Sequence, residues 1–266
     1  MSSWRGMIAS LWRYRGFVRT SVARDFQLRY RGSALGIVWT LLQPIGTVVV
    51  LTIVFTRVMQ PRLPGGDGFT YSIYLCAGVF AWGLFAEIVQ RELNVFIENG
   101  NYLKKSSFPR SSLPLIVAIT AIINFVLAFA IYFVFLFAID RFPGWVALWT
   151  LPVILMIALL AVGLGILLGT ANVFFRDLGP AVPIVLQFWF WLTPIVYPVA
   201  VVPDFIKPWF AMNPLASAVA ALQDIFTGGQ APTWQTLVTL AAIALIACVA
   251  GLAAFRSQAD NIVDEL

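Results

Sequence analysis

A chain of 266 residues that is 61% hydrophobic and only 11% charged does not fit a soluble domain, in which about 25% of residues are charged. With a mean hydropathy of +0.89, this composition predicts an all-α integral membrane protein. The formal net charge is +5, and histidine is absent, which removes the commonest general base and the commonest metal ligand. Cys76 and Cys248 lie inside apolar runs, where we expect buried side chains and neither a disulfide nor a metal site.

Residues 1–31 contain seven arginines and a single acid, Asp25. Their apolar side chains recur at helical spacing, which predicts a basic amphipathic helix in the membrane surface, broken near Gly16 and ending before Gly32. A disordered basic tail is the alternative, but the interleaved aromatic residues favour a helix. A cleaved signal peptide is not expected, because the charged region is too long and the next apolar run can span a membrane. The apolar positions are Trp4, Met7, Ile8, Leu11, Val18, Val22 and Phe26.

Residues 32–266 form the predicted transmembrane domain, since a membrane-spanning helix needs about 20 mostly apolar residues. The fifth of six predicted spans is short and interrupted by Pro183, Pro194 and Pro198. The apolar piece at 215–226 is too short to span, and it predicts a re-entrant or gate helix on the outer side. The six predicted spans are 36–56, 70–90, 113–139, 145–171, 181–198 and 232–255.

The distribution of lysine and arginine predicts the orientation of these spans. If the N-terminus is cytoplasmic, thirteen of these residues lie on the inner side and four on the outer side. We therefore expect both termini in the cytoplasm. The four outer residues are Arg57, Arg62, Arg141 and Lys207.

The inner loop at 91–110 opens with acids and contains a Leu-Lys-Lys centre. It predicts a short helix at the cytosolic surface. Tyr102, Leu103 and Phe108 are expected to be exposed there for a partner protein. The alternative is a solvated loop with no binding role.

The predicted spans hold few polar groups. Glu87 is the only clear ionisable side chain, and Asn124 and Gln187 are the main uncharged polar ones at depth. Ion-driven transporters usually hold acids or histidine near the midplane, and a membrane enzyme acting on lipid-linked sugars would need them at its reaction site. Both classes are therefore disfavoured. Residues 163–170 lack the lysine of a phosphate-binding loop, and we expect any ATP chemistry to reside on another chain. Gly165 and Gly169 within that stretch predict a close-packed helix face.

Four consecutive aromatic residues, Phe188 to Trp191, occupy the fifth predicted span. Sugar rings stack on aromatic faces, which carry no fixed charge that would trap a moving chain. Successive helical residues point about 100° apart, so at most two of the four can face a passage. The pattern does not decide which two. A lipid-facing aromatic belt is the alternative.

Five motifs that follow one another along the chain together resemble the ABC-2 type permeases that export polysaccharides. The pattern is most similar to that of O-antigen exporter permeases, with capsule and teichoic acid exporters as relatives. Each motif alone is weak, whereas five in register are specific and cover nearly the whole chain. They are 29–39 (RYRGSALGIVW) with Pro44, 103–110 (LKKSSFPR), 172–177 (NVFFRD), 193–197 (TPIVY) and Asn213-Pro214.

The resemblance implies a homodimer in the bacterial inner membrane, paired with two ATPase chains that carry ATP and Mg²⁺. It implies no catalytic site, metal or cofactor on this chain and no nucleic-acid partner. The implied cargo is a lipid-linked polysaccharide moving from cytosol to periplasm, and a permease for a small molecule is an alternative. The implied site residues are Asn101, Tyr102, Leu103, Lys104 and Lys105 for coupling; Phe188, Trp189, Phe190, Trp191 and Tyr197 for the channel lining; Pro194, Pro198, Asn213 and Pro214 for the gate; and Arg29, Tyr30, Arg31, Arg176 and Asp177 for the interface.

Overall fold

The computed structural model describes residues 14–30, 38–54, 68–104, 112–199, 202–205, 207–259 and 261–265, and the regular structure in these ranges is helical. A 3₁₀-helix at Gly144–Trp149 runs directly into α6. The all-α prediction is confirmed for this part of the chain. The helices are α1 (Arg15–Tyr30), α2 (Val38–Ile53), α3 (Gly68–Glu98), α4 (Gly100–Leu103), α5 (Ser112–Ala138), α6 (Thr150–Phe174), α7 (Leu178–Trp191), α8 (Lys207–Met212), α9 (Pro214–Thr227), α10 (Trp234–Gln258) and α11 (Asn261–Glu265).

Four of the described helices are long and apolar enough to cross a membrane: α3, α5, α6 with its leading 3₁₀-helix, and α10. They confirm a multi-pass membrane protein. Apolar parts of α2 and α7 are shorter, at Leu41–Ile53 and Leu178–Trp191. The topology with six spans therefore stays a prediction.

Helix α3 continues past the point where the sequence predicted a loop. Arg91 and Glu92 were expected to open the inner loop, and this expectation is wrong, because α3 runs on to Glu98. Leu93 and Phe96 extend its buried apolar face beyond Arg91, so tertiary packing keeps these residues helical. The inner loop is correspondingly shorter. Its predicted short helix is present as α4.

Glycines let the central spans α3, α6 and α10 approach closely. A Cβ atom at Gly169 of α6 would lie 2.3 Å from the Glu92 carbonyl oxygen of α3, and one at Gly165 would lie 2.6 Å from the Glu92 carboxyl. On the other side of α6, a Cβ atom at Gly251 of α10 would lie 2.3 Å from the Gly163 carbonyl oxygen. The close-packed face predicted at Gly165 and Gly169 is confirmed.

Helix α1 packs on α5 through two apolar side chains. Val18 and Val22 are buried and form a cluster with Ile116 of α5, whereas Arg19 and Arg24 are exposed. The N-terminal part of the predicted surface helix, 1–13, lies outside the described residues.

Candidate functional site

The fifth apolar segment ends in a bent, non-helical stretch that the rest of the fold holds in place. Helix α7 ends at Trp191, and residues 193–198 are not helical. Pro194 has no N–H to donate and disfavours helical geometry at Thr193, which explains why the helix stops here. Thr193 and Ile195 are nevertheless fully buried. The carbonyl groups of this non-helical stretch lack helical partners and therefore need others.

Those partners come from α3 and α9. The Tyr74 hydroxyl lies 3.2 Å from the carbonyl oxygens of both Pro194 and Tyr197. The Tyr71 hydroxyl donates to the Val196 carbonyl. From α9, Gln223 Nε2 donates to the Ile195 carbonyl at 3.3 Å. The bend is thus fixed from two sides.

Asn213 joins three elements at the same end of the molecule. Its Oδ1 accepts from the Leu215 backbone N–H at 3.1 Å, which caps α9, and from Trp189 Nε1 at 3.2 Å. Its Nδ2 donates to Thr193 Oγ1 at 3.0 Å. Pro214 follows at the first position of α9, where proline is favoured. Two motifs that lie apart in the sequence therefore form one hydrogen-bonded junction.

The structure divides the four consecutive aromatic residues into two pairs. Trp189 and Phe190 pack inward against α3, with the Trp189 ring 5.3 Å from Phe85 and the Phe190 ring 5.7 Å from Trp82. Phe188 and Trp191 are 66% and 56% exposed. Two rings are thus available to a passage, a lipid or a second copy.

The other residues predicted for this region lie close to the junction. The Tyr197 hydroxyl donates to the Trp191 carbonyl at 2.6 Å, and its ring meets that of Phe210. Pro194 is buried and Pro198 is partly buried. On α9, partial burial raises the pKa of Asp224 above its usual range.

At the opposite end, α4 presents a small exposed surface. Asn101, Tyr102 and Lys104 are exposed, and Lys105 lies outside the described residues. The Arg24 guanidinium lies 5.9 Å from the centre of the Tyr102 ring, so α1 and α4 touch.

Leu103 was expected to be exposed for a partner, and this is wrong, because its side chain is only 1% exposed. It packs in a cluster that joins α3, α5, α6, α10 and α11. Helix α4 therefore turns its leucine inward and its tyrosine outward. The cluster residues include Phe96, Val117, Val173, Phe255 and Ile262.

The predicted interface residues lie on two separate elements. Arg29 and Tyr30 end α1, but their side chains, like the whole of Arg31, lie outside the described part. Arg176 and Asp177 are exposed in the turn between α6 and α7.

The polar groups at depth have different roles. Asn124 Nδ2 donates to Glu87 Oε1 at 2.7 Å and so bridges α5 and α3. Gln187 is exposed on α7.

Sequence reasoning missed the buried acid Glu92. Its side chain is fully buried against Gly165, and neither carboxyl oxygen has a hydrogen-bond partner among the described residues. The signal was present in the sequence, because Glu92 lies four residues after Ile88 on an apolar helix face. In the described part of the chain, no three His, Cys, Asp or Glu residues are grouped so as to hold a metal ion.

The described helices thus form a multi-pass membrane protein with a short surface helix at one end and a proline-broken bend at the other. The model of the ABC-2 type transporter family matches residues 17–227. The chain belongs to the ABC-2 type transporter family.

Curated relatives match over most of their length. The chain is 30% identical over 263 residues to the O-antigen export system permease protein RfbA of Myxococcus xanthus, covering 98% of this chain and 99% of that protein. It is 30% identical over 234 residues to a protein of the same name from Klebsiella pneumoniae, with 88% of each covered. The polysialic acid transport protein KpsM of Escherichia coli is 22% identical over 246 residues, covering 89% of this chain and 91% of that protein.

Proposed function

We propose that this chain is the transmembrane subunit of an ATP-driven exporter that moves a lipid-linked polysaccharide of the O-antigen class from the cytosol to the periplasm. The observation that carries the proposal is the similarity to an O-antigen export permease across 98% of the chain and 99% of that relative. Because the match covers the outer junction as well as the spans, it supports a shared transport architecture and not only a shared membrane anchor.

A separate ATPase supplies the energy in this proposal, since the sequence has no phosphate-binding loop. The exposed face of α4, with Tyr102 and Lys104, is the docking point, and α1 supports it through Arg24. Two copies of the chain pair with two ATPase subunits.

The outer junction is the proposed gate. Phe188 and Trp191 offer exposed rings on which sugar faces can stack, while Trp189 and Phe190 anchor α7 to α3. The junction of Asn213 with Thr193 holds the outer end of the passage when no cargo is present.

The proposed orientation places both termini in the cytoplasm and α8 and α9 on the periplasmic side of the inner membrane. It rests on the bias of thirteen inner against four outer basic residues. Cysteine labelling at position 104 or 258 from the outside would contradict this orientation.

Capsular polysaccharide is the second candidate cargo, because KpsM aligns over 91% of its own length. Depletion of the chain in its host distinguishes the two candidate cargoes. The proposal predicts that a lipid-linked glycan accumulates on the cytosolic face, and mass spectrometry of that glycan identifies the cargo. Normal surface glycan after depletion would reject the function.

A further inference from the structure

A groove separates the outer halves of α5 and α6 on a face of the molecule that no described helix covers. It encloses about 730 Å³, within the range of about 300–1,000 Å³ that is common for ligand sites. Rings from α5 and its following loop form one wall, and leucines from the 3₁₀-helix and α6 form the other. The main wall residues are Phe129, Phe133, Phe142, Leu148, Leu151 and Leu155.

Thr150 lines this apolar groove, but its hydroxyl oxygen is buried beneath the groove surface. The lining that the groove presents to a ligand is therefore almost wholly apolar, which suits an acyl chain.

The groove's outer mouth has the residues of a lipid headgroup layer. Trp145 lines the mouth and is 87% exposed, and tryptophan is enriched at the membrane–water interface. Arg141 is exposed and directly precedes Phe142 of the groove wall. Its positive charge is complementary to a lipid phosphate.

The depth of the groove matches one leaflet. Thr150 and Ala158 are the first and last α6 residues that line it, and eight helical residues span about 12 Å. Half of the hydrocarbon core is about 15 Å thick. The groove therefore runs from the interface towards the midplane.

We propose that this groove binds one acyl chain of an anionic glycerophospholipid from the leaflet at its mouth. The phosphate of this lipid lies beside Arg141. This site does not depend on the identity of the exported cargo.

The bound lipid would also support the outer junction. The Phe129 and Phe133 rings lie 5.6 and 6.0 Å from Phe226 of α9. The same helix carries Gln223, which holds the bend at Ile195. An acyl chain packed on these rings would therefore stabilise the position of α9, the helix that holds the bend at the proposed gate.

The first test fills the groove. Ala130 lines it, and Ala130→Trp places a ring where the acyl chain would lie. Val134, exposed on the same helix and outside the groove, gives the matched control Val134→Trp. Full-length variants are reconstituted in nanodiscs of phosphatidylglycerol and then released from them. Native mass spectrometry counts the lipids that stay bound to each chain. We expect wild type and Val134→Trp to retain one more lipid per chain than Ala130→Trp, with thermal unfolding confirming that each variant is folded. Equal retention by all three overturns the proposal.

The second test removes the headgroup contact. Arg141→Gln should reduce the preference for phosphatidylglycerol over phosphatidylcholine. A lipid preference that is unchanged in Arg141→Gln contradicts the proposed headgroup placement.

The third test identifies the occupant. A benzophenone amino acid at position 155 is activated by light in intact membranes. The proposal predicts an adduct with the mass of a phospholipid, which Ala130→Trp abolishes. An adduct with a second copy of this chain or with another polypeptide overturns it.

Discussion

The Arg91 guanidinium lies 2.5 Å from the Asp25 carboxylate, so that an ion pair joins the surface helix α1 to the central span α3. Arg91 also lies 3.6 Å from Glu87, which accepts a hydrogen bond from Asn124 of α5. A chain of polar contacts therefore runs from the surface helix through two spans. Arg24 of α1 also lies over the Tyr102 ring, so α1 contacts both α3 and α4.

We predict that Asp25→Asn lowers the free energy of unfolding by about 1 kcal/mol, since the pair is partly exposed. It should also reduce export at normal expression, because α1 loses its polar contact with α3. Asp204→Asn is the matched control, since it removes an ion pair with Lys207 that is more exposed. Equal losses in both variants, measured by thermal unfolding and export, would show that the Arg91 pair has no special role.

The two neighbouring residues Tyr102 and Leu103 should respond differently to alanine. Leu103→Ala removes a buried side chain and should cost about 2–5 kcal/mol of stability, visible as loss of folded protein. Tyr102→Ala should leave the fold intact and weaken co-purification with the ATPase, as loss of an exposed aromatic anchor does. Normal ATPase co-purification and export with Tyr102→Ala would mean that α4 is only a solvated turn.

The Asn213 junction predicts graded effects on the gate. Asn213→Asp keeps the acceptor for the Leu215 N–H and for Trp189 but loses the donor to Thr193. Asn213→Ala loses all three contacts, including a helix cap worth about 0.5–2 kcal/mol. Ion leak in resting proteoliposomes should therefore rise from wild type to aspartate to alanine. The absence of leak in stable Asn213→Ala protein would separate this junction from gating.

The division of the aromatic residues predicts two classes of variant. Trp189→Ala and Phe190→Ala remove rings packed on α3 and should destabilise the protein by up to about 3–5 kcal/mol. Phe188→Ala and Trp191→Ala remove exposed rings, so expression should persist while export or ion leak changes in at least one of them. If both exposed-ring variants are silent in export and leak, the aromatic passage is wrong and these rings belong to the lipid belt.

The glycine contacts predict a steric effect at the centre of the fold. Gly169→Ala places a Cβ atom 2.3 Å from the Glu92 carbonyl oxygen and should cost about 1–3 kcal/mol or more. Gly83→Ala is the control on α3, because nothing lies within 4 Å of its Cβ position. It should be neutral or stabilise the helix by up to about 1 kcal/mol. Thermal unfolding that ranks the two variants in the opposite order would contradict this packing.

Local patterns in the sequence were sufficient for part of this architecture. Long apolar runs predicted the spans, because burying a backbone in lipid demands continuous helix. Apolar residues at helical spacing predicted a helix in the region of α1. Gly165 and Gly169 predicted a close helix contact, since small residues at this spacing lie on one face. Each of these features depends on residues that are near one another in the chain.

The features that the sequence did not predict depend on distant residues. Leu103 is buried only because α5, α10 and α11 fold over it. Glu92 is buried because Gly165 of α6 leaves room for its side chain. The contact between Thr193 and Asn213 joins two motifs that the intervening chain separates by 20 residues. Patterns within a helix contain no direct information about such pairings.

Export by the reconstituted complex is the decisive measurement for the proposed function. Proteoliposomes contain the full-length chain and its co-purified ATPase, with a fluorescent lipid-linked polysaccharide on the ATPase side. We predict that ATP moves the glycan to the opposite face, where an added glycosidase digests it. The chain alone and the ATPase alone should move none. Digestion that is equal with and without ATP, or vanadate-sensitive ATP hydrolysis by the isolated chain, would contradict the assignment as the transmembrane subunit of a polysaccharide exporter.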